Sequence, residues 1–489
     1  MYKNINILII GMGNHSQRIY IPFLNKVSKT TNLKFYGLDV ALSKSQIESK
    51  LNEKGYDFER FYIQGGINLS SADKKILDEI LVNKKINAVV IATPPEYHML
   101  YAHWALKHKL HILMDKPISA RKNSSTDLIQ AKKLVSDYRN IVSEFERQNK
   151  NRKLVFMVNT QRRYEIGYKY VCSLIEEATK KFNIPVTSIQ AMHGDGVWIF
   201  PDEIIEQNCH QYYDGYGKCS HSGFHLFDIV WQFYKAGYVK DKFADRAEVY
   251  SSFLQPKGLI KQFTQNDYKK IFGDKYNLRD RKSDSELNDI YNGYGENDAF
   301  TNIRLLKDNE NICNISINLL HNSLSDRSWV RPSNDLYKGN GRVKHQYYYI
   351  QQGPFQTIQI HNYQSKGKQD NNDLADYEVG GNNHFDINIF RNAKMFGGQT
   401  KSFTKVTLKD LDTKHMLDDT RLYHETAKEQ IVSEFLNSIE GKTNASNIKS
   451  FIDTYDTPVQ IMSAVYQSNV KYINRQNPLV KFNIKNEEH

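Results

Sequence analysis

Three short stretches carry residues whose types and spacing suit chemistry. The first is GMGNHS at residues 11–16, set directly behind the apolar run INILII of residues 5–10. In that place Gly11 permits a tight turn and Gly13 lets the backbone approach a pyrophosphate. A helix opening at Asn14, His15 and Ser16 then offers amide donors to the phosphates. Ser16 replaces the third glycine of the usual dinucleotide fingerprint. A tight turn without a ligand is the plain alternative. Asp39 favours the ligand, because it ends the next apolar run, where a carboxylate accepts the ribose hydroxyls of NAD. The same charge repels the extra phosphate of NADP, so NAD is the expected cofactor and NADP the lesser candidate.

The second stretch is HILMDKPIS at residues 111–119. An apolar strand that runs into Asp115, Lys116 and Pro117 either leaves the sheet there or delivers a lysine for use. A buried lysine is costly unless its charge is paired or its pKa falls. The third is HSGFHLFD at 221–228. On a helix His221 and His225 share one face, and Gly223 allows close approach of a backbone or ligand. Cys209 and Cys219 lie nearby, but their spacing matches no zinc pattern, and no metal is expected.

The elements that must position these residues alternate. Apolar runs at 5–10, 33–40, 87–93 and 110–114 read as strands covered on both faces, and helical periodicity fills 75–85 and 97–109. This is the pattern of βαβ units and a parallel sheet. From about residue 154 the pattern changes to a strand with a turn, QRRY, a helix at 168–181 and a strand at 186–194. Residues 255–300 and 325–385 are polar, rich in Gly, Asn and Tyr and weakly periodic, as long insertions would be. Helices return at 421–440 and 457–474. The expected organisation is an α/β chain. A doubly wound parallel sheet is expected over 1–153, and a second domain over 154–489.

Bulk properties narrow the partners. Lys and Arg outnumber Asp and Glu by 66 to 55, a net charge of +11, yet no basic block of five or six residues occurs. Nucleic acid is therefore not an expected partner, while an anionic small molecule would suit the charge. Four cysteines without short paired spacing fit a reducing cytoplasm. MYKNINILIIGMG has no features of a signal peptide, and no run approaches the length of a membrane span.

Together ILIIGMGNHSQRIYIPFL, AVVIATPPEYHMLYAHWALKHKLHILMDKPIS, VNTQRRYEIGY and HSGFHLFD resemble the glucose-fructose oxidoreductase, inositol dehydrogenase and rhizopine-catabolism (Gfo/Idh/MocA) family. The resemblance covers about the first 200 residues, resumes at HSGFHLFD and returns in SEFLNSIEGK and SAVYQSNV. It implies a Rossmann domain followed by an α/β domain on a large, mostly antiparallel sheet that often mediates a dimer or tetramer. It also implies nicotinamide-dependent oxidation or reduction of a hydroxyl or keto carbon on a sugar, cyclitol or sugar derivative; the long insertions and the positive charge favour an anionic or nucleotide-linked one.

By that resemblance Thr93, Pro94 and His98 lie beside the cofactor, and Asp115 shortens the acid of a Glu-Lys-Pro signature. Lys116 matches the catalytic lysine, His225 the acid/base and Asp228 an orienting helix residue. Arg163 and Tyr164 match an Arg-aromatic pair at the substrate, and Trp198 and His193 would line the substrate side, although a packed core tryptophan is the alternative. His221 stands where the family has aspartate. A histidine still relays a proton but supplies no fixed negative charge. An altered proton relay, a redox-neutral NAD-assisted glycosidase and a catalytically silent NAD-binding regulator all remain compatible with it.

Overall fold

The computed structural model describes residues 4–150, 154–207, 210–278, 281–336, 339–365, 375–412, 423–443 and 448–485. They divide into two compact units: 1–120, 135–165 and 423–456 form the first, and 121–134, 166–422 and 457–489 the second.

The first unit holds a parallel sheet of β1 (Asn6–Ile10), β2 (Lys34–Val40), β3 (Arg60–Ile63), β4 (Ala88–Ile91), β5 (His111–Asp115) and β6 (Phe156–Asn159). Their order is β3-β2-β1-β4-β5-β6, with every pairing parallel. Such a sheet is covered on both faces, which is why β1, β4 and β5 carry unbroken apolar runs. Two boundaries differ from a single division at 153/154. The strand in VFMVNT is the sixth strand of the parallel sheet, paired with β5 from Ile112↔Phe156 to Asp115↔Asn159. The helix Tyr423–Ile439 also returns to this unit, where Ala427, Ile431, Val432, Phe435 and Leu436 enter the same apolar core as Ile7, Ile9 and Val90. A linear reading cannot see such a return, since the helix's sequence names no partner.

The second unit is built on a nine-stranded sheet. Its strands are β7 (Ser188–Gly194), β8 (Arg246–Leu254), β9 (Asp298–Lys307), β10 (Glu310–Leu320), β11 (Lys344–Gln352), β12 (Gln356–Gln364), β13 (Asp386–Arg391), β14 (Phe403–Thr407) and β15 (Val480–Asn483). The order is β14-β13-β12-β11-β7-β10-β9-β8-β15, and only β7 with β10 pairs in parallel. Between β8 and β9 the first polar insertion folds into helices at Pro256–Gln262, Gln265–Phe272 and Asp284–Ile290.

The second insertion supplies β11 and β12, strands whose alternation the composition hides. Their inward positions include Gln346, Tyr348, Gln352, Gln356 and Asn362, all buried. Buried amides need partners. Gln352 and Gln356 donate to the carbonyls of Ile175 and Leu174 at 3.2 and 3.0 Å in the helix Ile166–Phe182. Residues 366–374 of this insertion lie outside the described residues.

Candidate functional site

In the first unit the expected cofactor residues gather at the carboxyl edge of the parallel sheet. Gly11 follows β1 with φ +98°, a conformation that glycine adopts without strain. A Cβ there would stand 2.6 Å from the carbonyl oxygen of Ala92, behind β4. The backbone itself therefore demands glycine. At Gly13 an added Cβ would meet nothing within 4 Å, so this part of the loop is open to a ligand. Ser16, in place of a third glycine, donates its hydroxyl to the Gly11 carbonyl at 2.5 Å and thereby closes the loop. The helix expected after the loop is broken at Ile19 into Asn14–Arg18 and Tyr20–Ser28, and Pro22 is tolerated in the first turn of the latter.

Asp39 lies at the end of β2 with its carboxylate on the same loop. One oxygen accepts from the Met12 amide at 2.6 Å and the other from the Val40 amide at 2.8 Å. Burial raises its pKa, and the two amides oppose that rise. The acid thus holds the glycine turn in addition to any ribose contact, a use that motif spacing does not reveal.

Behind β4 and β5 the two turns are tied by His98. Its buried ring faces the Pro117 carbonyl with Nδ1 at 2.8 Å and the Thr93 carbonyl with Nε2 at 3.0 Å. Two acceptors favour the protonated ring, but burial dominates and lowers the pKa. Thr93 keeps a buried hydroxyl without a partner among the described residues. An orphaned hydroxyl at this edge, with the open Gly13 loop, is what a bound dinucleotide would satisfy, so the residues present fit NAD. Pro94 is exposed beside it.

Asp115 ends β5 within a buried cluster that sequence reasoning missed. Its Oδ1 accepts from the Tyr20 hydroxyl and from Asn159 Nδ2 at 3.1 Å, and His15 Nε2 lies 3.7 Å away. Burial of His15 Nε2, opposed by Asp115, lowers the His15 pKa to about 3, so the ring is neutral. Asp115 and Asn159 are register partners across β5 and β6, an adjacency that their spacing in the sequence does not show. Lys116 follows, half-buried, with a cis peptide to Pro117.

Arg163 and Tyr164, expected at the substrate, turn their polar groups into the first unit. Arg163 donates to the Lys449 carbonyl at 2.6 Å and the Thr454 hydroxyl at 2.7 Å, with its guanidinium 3.9 Å from the centre of the Tyr455 ring. The Tyr164 hydroxyl meets Glu434 and, at 2.9 Å, Ser450. These bonds anchor the turn after β6 to the returning segment.

In the second unit His221 and His225 span a junction. A single turn of π-helix, Cys219–Gly223, runs into the α-helix Phe224–Ala236, and such bulges recur at functional sites. Both histidines are buried. His221 is ringed by aromatic groups, with centroids at 4.6 Å for His210, 5.6 Å for Tyr216 and 5.8 Å for Tyr212. Gly223 is approached by a side chain rather than by the expected backbone or ligand: a Cβ would lie 2.7 Å from Leu319 Cδ1. Asp228 is fully buried in the helix. Cys209 lies outside the described residues.

A buried charged cluster stands behind this junction. Lys218 meets the Asp195 carboxylate and lies 2.9 Å from His193 Nδ1, while Arg342 Nη2 approaches Asp195 at 3.5 Å. Against the cost of burial, Lys218, His193 and Arg342 hold Asp195 well below the usual carboxylate range. Glu296, buried, accepts from the Cys219 amide at 2.8 Å, the Ser125 hydroxyl at 2.6 Å and the Tyr466 hydroxyl at 2.9 Å, which fixes the start of the π turn. The sequence signal for this cluster was Lys218 itself, a lysine inside GYGKCSHSG. Trp198 is partly buried and lines a cavity of about 270 Å³ in this unit.

Comparison with known proteins gives the frame. Residues 5–144 match the Gfo/Idh/MocA family, an oxidoreductase family with an NAD-binding Rossmann fold. A curated relative, an uncharacterized oxidoreductase of Synechocystis, is 29% identical over 125 residues, which is 26% of this chain and 29% of the relative's length. The WlbA dehydrogenase of Bordetella pertussis, solved with NADH and UDP-GlcNAcA, superposes with a TM-score of 0.56 at 11% identity, covering 99% of this chain and 98% of that one. The aldose-aldose oxidoreductase of Caulobacter crescentus, solved with glycerol, gives 0.55 at 11% identity over 99% and 100%. An oxidoreductase of Agrobacterium radiobacter, solved with NAD+, L-tartaric acid and magnesium, gives 0.55 at 12% over 98% of each chain. At such identities these likenesses speak for the fold. Residues 5–144 thus carry the NAD-binding Rossmann module that the Gfo/Idh/MocA family model describes.

Proposed function

We propose that the chain is an NAD-dependent dehydrogenase acting on a hydroxyl or keto carbon of a sugar, cyclitol or sugar derivative. The observation that carries this reading is the common edge: Lys116 leaves β5 on the same side of the sheet as the Gly11–Ser16 loop, Asp39 and Thr93. In open α/β folds that edge is where ligands bind.

When bound, NAD accepts hydride from a carbinol carbon. Gly11, Gly13, Asn14 and His15 would admit its phosphates and Asp39 its ribose, with Thr93 and Pro94 alongside. Ser16, His98 and Asp115 hold the turns that carry these groups. The Lys116 ammonium would stabilise the alkoxide that forms as the hydroxyl proton departs. By the family resemblance the acid/base role falls to His225, with His221 assisting. In the reverse direction the same groups return the proton to oxygen. Arg163 and Tyr164 would act on the substrate through the loop they anchor, and Trp198 by contact. The chain's assembly as a dimer or tetramer belongs to the same proposal. Among the described residues no helix is long and apolar enough to cross a membrane.

The test is nicotinamide absorbance after mixing the protein and NAD with a panel of sugars, cyclitols, sugar acids and nucleotide sugars, alongside Lys116→Ala. Reduction that the variant loses supports the reading. Bound NAD that no compound reduces sinks it, and leaves the redox-neutral and regulatory alternatives.

A further inference from the structure

The second unit contains a cavity of about 270 Å³ with walls from the first polar insertion and the segment after β7. Trp198, Phe263, Tyr268 and Tyr291 give it aromatic faces, and Leu259 closes one side. None of its lining residues among the described ones is charged, in a chain whose net charge is +11. The nearby Arg327 guanidinium, at the Trp198 carbonyl, is already committed to both Glu203 oxygens at 2.7 and 2.8 Å, so an anion placed in the cavity would find no uncommitted cation among the described residues, and burying it would cost several kcal/mol. An uncharged ring faces no such penalty and would gain from stacking on the aromatic walls.

One polar feature of the wall is unfinished. Asn322 lines the cavity, and its buried Oδ1 receives no hydrogen bond from the described residues. A buried acceptor left unmade costs about 1–3 kcal/mol, which a ligand donor would recover. The Trp198 indole N–H is already committed to the Tyr268 hydroxyl at 3.3 Å, so its ring face is what it offers.

The cavity is also tied to the candidate catalytic histidines. Tyr212 packs in the same apolar cluster as Val197, Ile204, Leu259 and Tyr291, and its ring lies 5.8 Å from His221. The apolar cluster that supplies part of the cavity wall thus reaches His221 through Tyr212.

We propose that this cavity is a second subsite that takes an uncharged aryl ring bearing one hydrogen-bond donor, of the phenol class, against Trp198 and Asn322. It rests on the dehydrogenase reading only in giving the ring a reason to be there, as the non-reacting end of a substrate. The occupancy itself does not depend on cofactor or turnover.

The experiment is calorimetric titration of the full chain, without NAD, using phenol and benzoate as probes. Saturable binding of phenol with benzoate at least tenfold weaker is expected. Leu259→Trp, which fills the cavity, should abolish phenol binding, and Asn322→Leu should weaken it at least fivefold. Lys116→Ala should leave it unchanged, so this result stands apart from any failure of the dehydrogenase assay. NAD binding and near-ultraviolet circular dichroism confirm that each variant folds. No saturable phenol binding, equal binding of benzoate, or phenol binding that survives Leu259→Trp would overturn the proposal.

Discussion

Half-buried Asp298 and fully buried His321 are neighbours whose titrations oppose one another. The Asp298 carboxylate accepts from the His321 amide at 2.7 Å, and the His321 ring accepts or donates at the Tyr212 hydroxyl at 2.6 Å. Burial lowers His321 from 6.5 to about 4 and raises Asp298 from 3.8 to about 6. For His321 the unfolded chain binds the extra proton between about pH 6.5 and 4, so stability falls as pH falls through that window. A shift of that size corresponds to about 3 kcal/mol. For Asp298 the folded chain holds the extra proton between about 6 and 3.8, so stability rises as pH falls, again by about 3 kcal/mol. The two contributions nearly cancel between pH 6 and 4.

Breaking the pair should expose each slope. Relative to the parent, Asp298→Asn should lose about 3 kcal/mol between pH 6 and 4, and His321→Gln should gain about as much. Urea unfolding at half-unit pH steps, read by tryptophan fluorescence, measures this in the right place, because Trp198, Trp231 and Trp329 all belong to the second unit. Parallel pH profiles for the parent and both variants would refute the argument, since they would mean that neither group is held away from its ordinary pKa by burial.

Three further outcomes follow from the sheet edge. Gly11→Ala forces a Cβ to 2.6 Å from the Ala92 carbonyl at φ +98°, and NADH affinity measured by fluorescence should fall about tenfold or more, roughly 1.4 kcal/mol. Unchanged affinity would mean that the loop moves freely. His98→Ala removes the group facing both the Thr93 and Pro117 carbonyls, and the melting temperature should drop by the equivalent of about 1–3 kcal/mol. A melting curve that superposes on the parent's would show that the two turns hold without it. Asp39→Asn removes the charge that repels a 2′-phosphate, so the ratio of NADP to NAD affinity should rise, and a ratio that stays fixed would remove Asp39 from cofactor choice.

How far the sequence revealed this arrangement depended on what each element buries. β1, β4 and β5 are covered on both faces, so their apolar runs were plain and the glycine loop, Asp39 and Lys116 could be placed behind them. β11 and β12 bury Gln, Tyr and Asn, and their period of two disappears from any hydropathy reading. The polar run at 255–300 hid helices whose capping boxes, Thr264 with Asp267 and Ser283 with Glu286, were present in the residues and went unread. His98, Tyr20 and Asn159 could not have been paired with their partners from spacing, because each acts across strands that are neighbours only in the folded sheet.

The helix Tyr423–Ile439 carries a consequence for synthesis. The core of the first unit includes Ile431, Phe435 and Leu436 together with Ile7 and Ile9. During translation the glycine-loop strand therefore emerges more than four hundred residues before the apolar side chains that finish its cover. Until then that part of the nascent chain presents uncovered isoleucines and a dependence on chaperones for safe keeping. The same order of events means that a shortened gene ending at residue 165 would encode all six parallel strands yet yield an aggregating product. Co-expressing residues 423–456 as a separate peptide should restore its solubility.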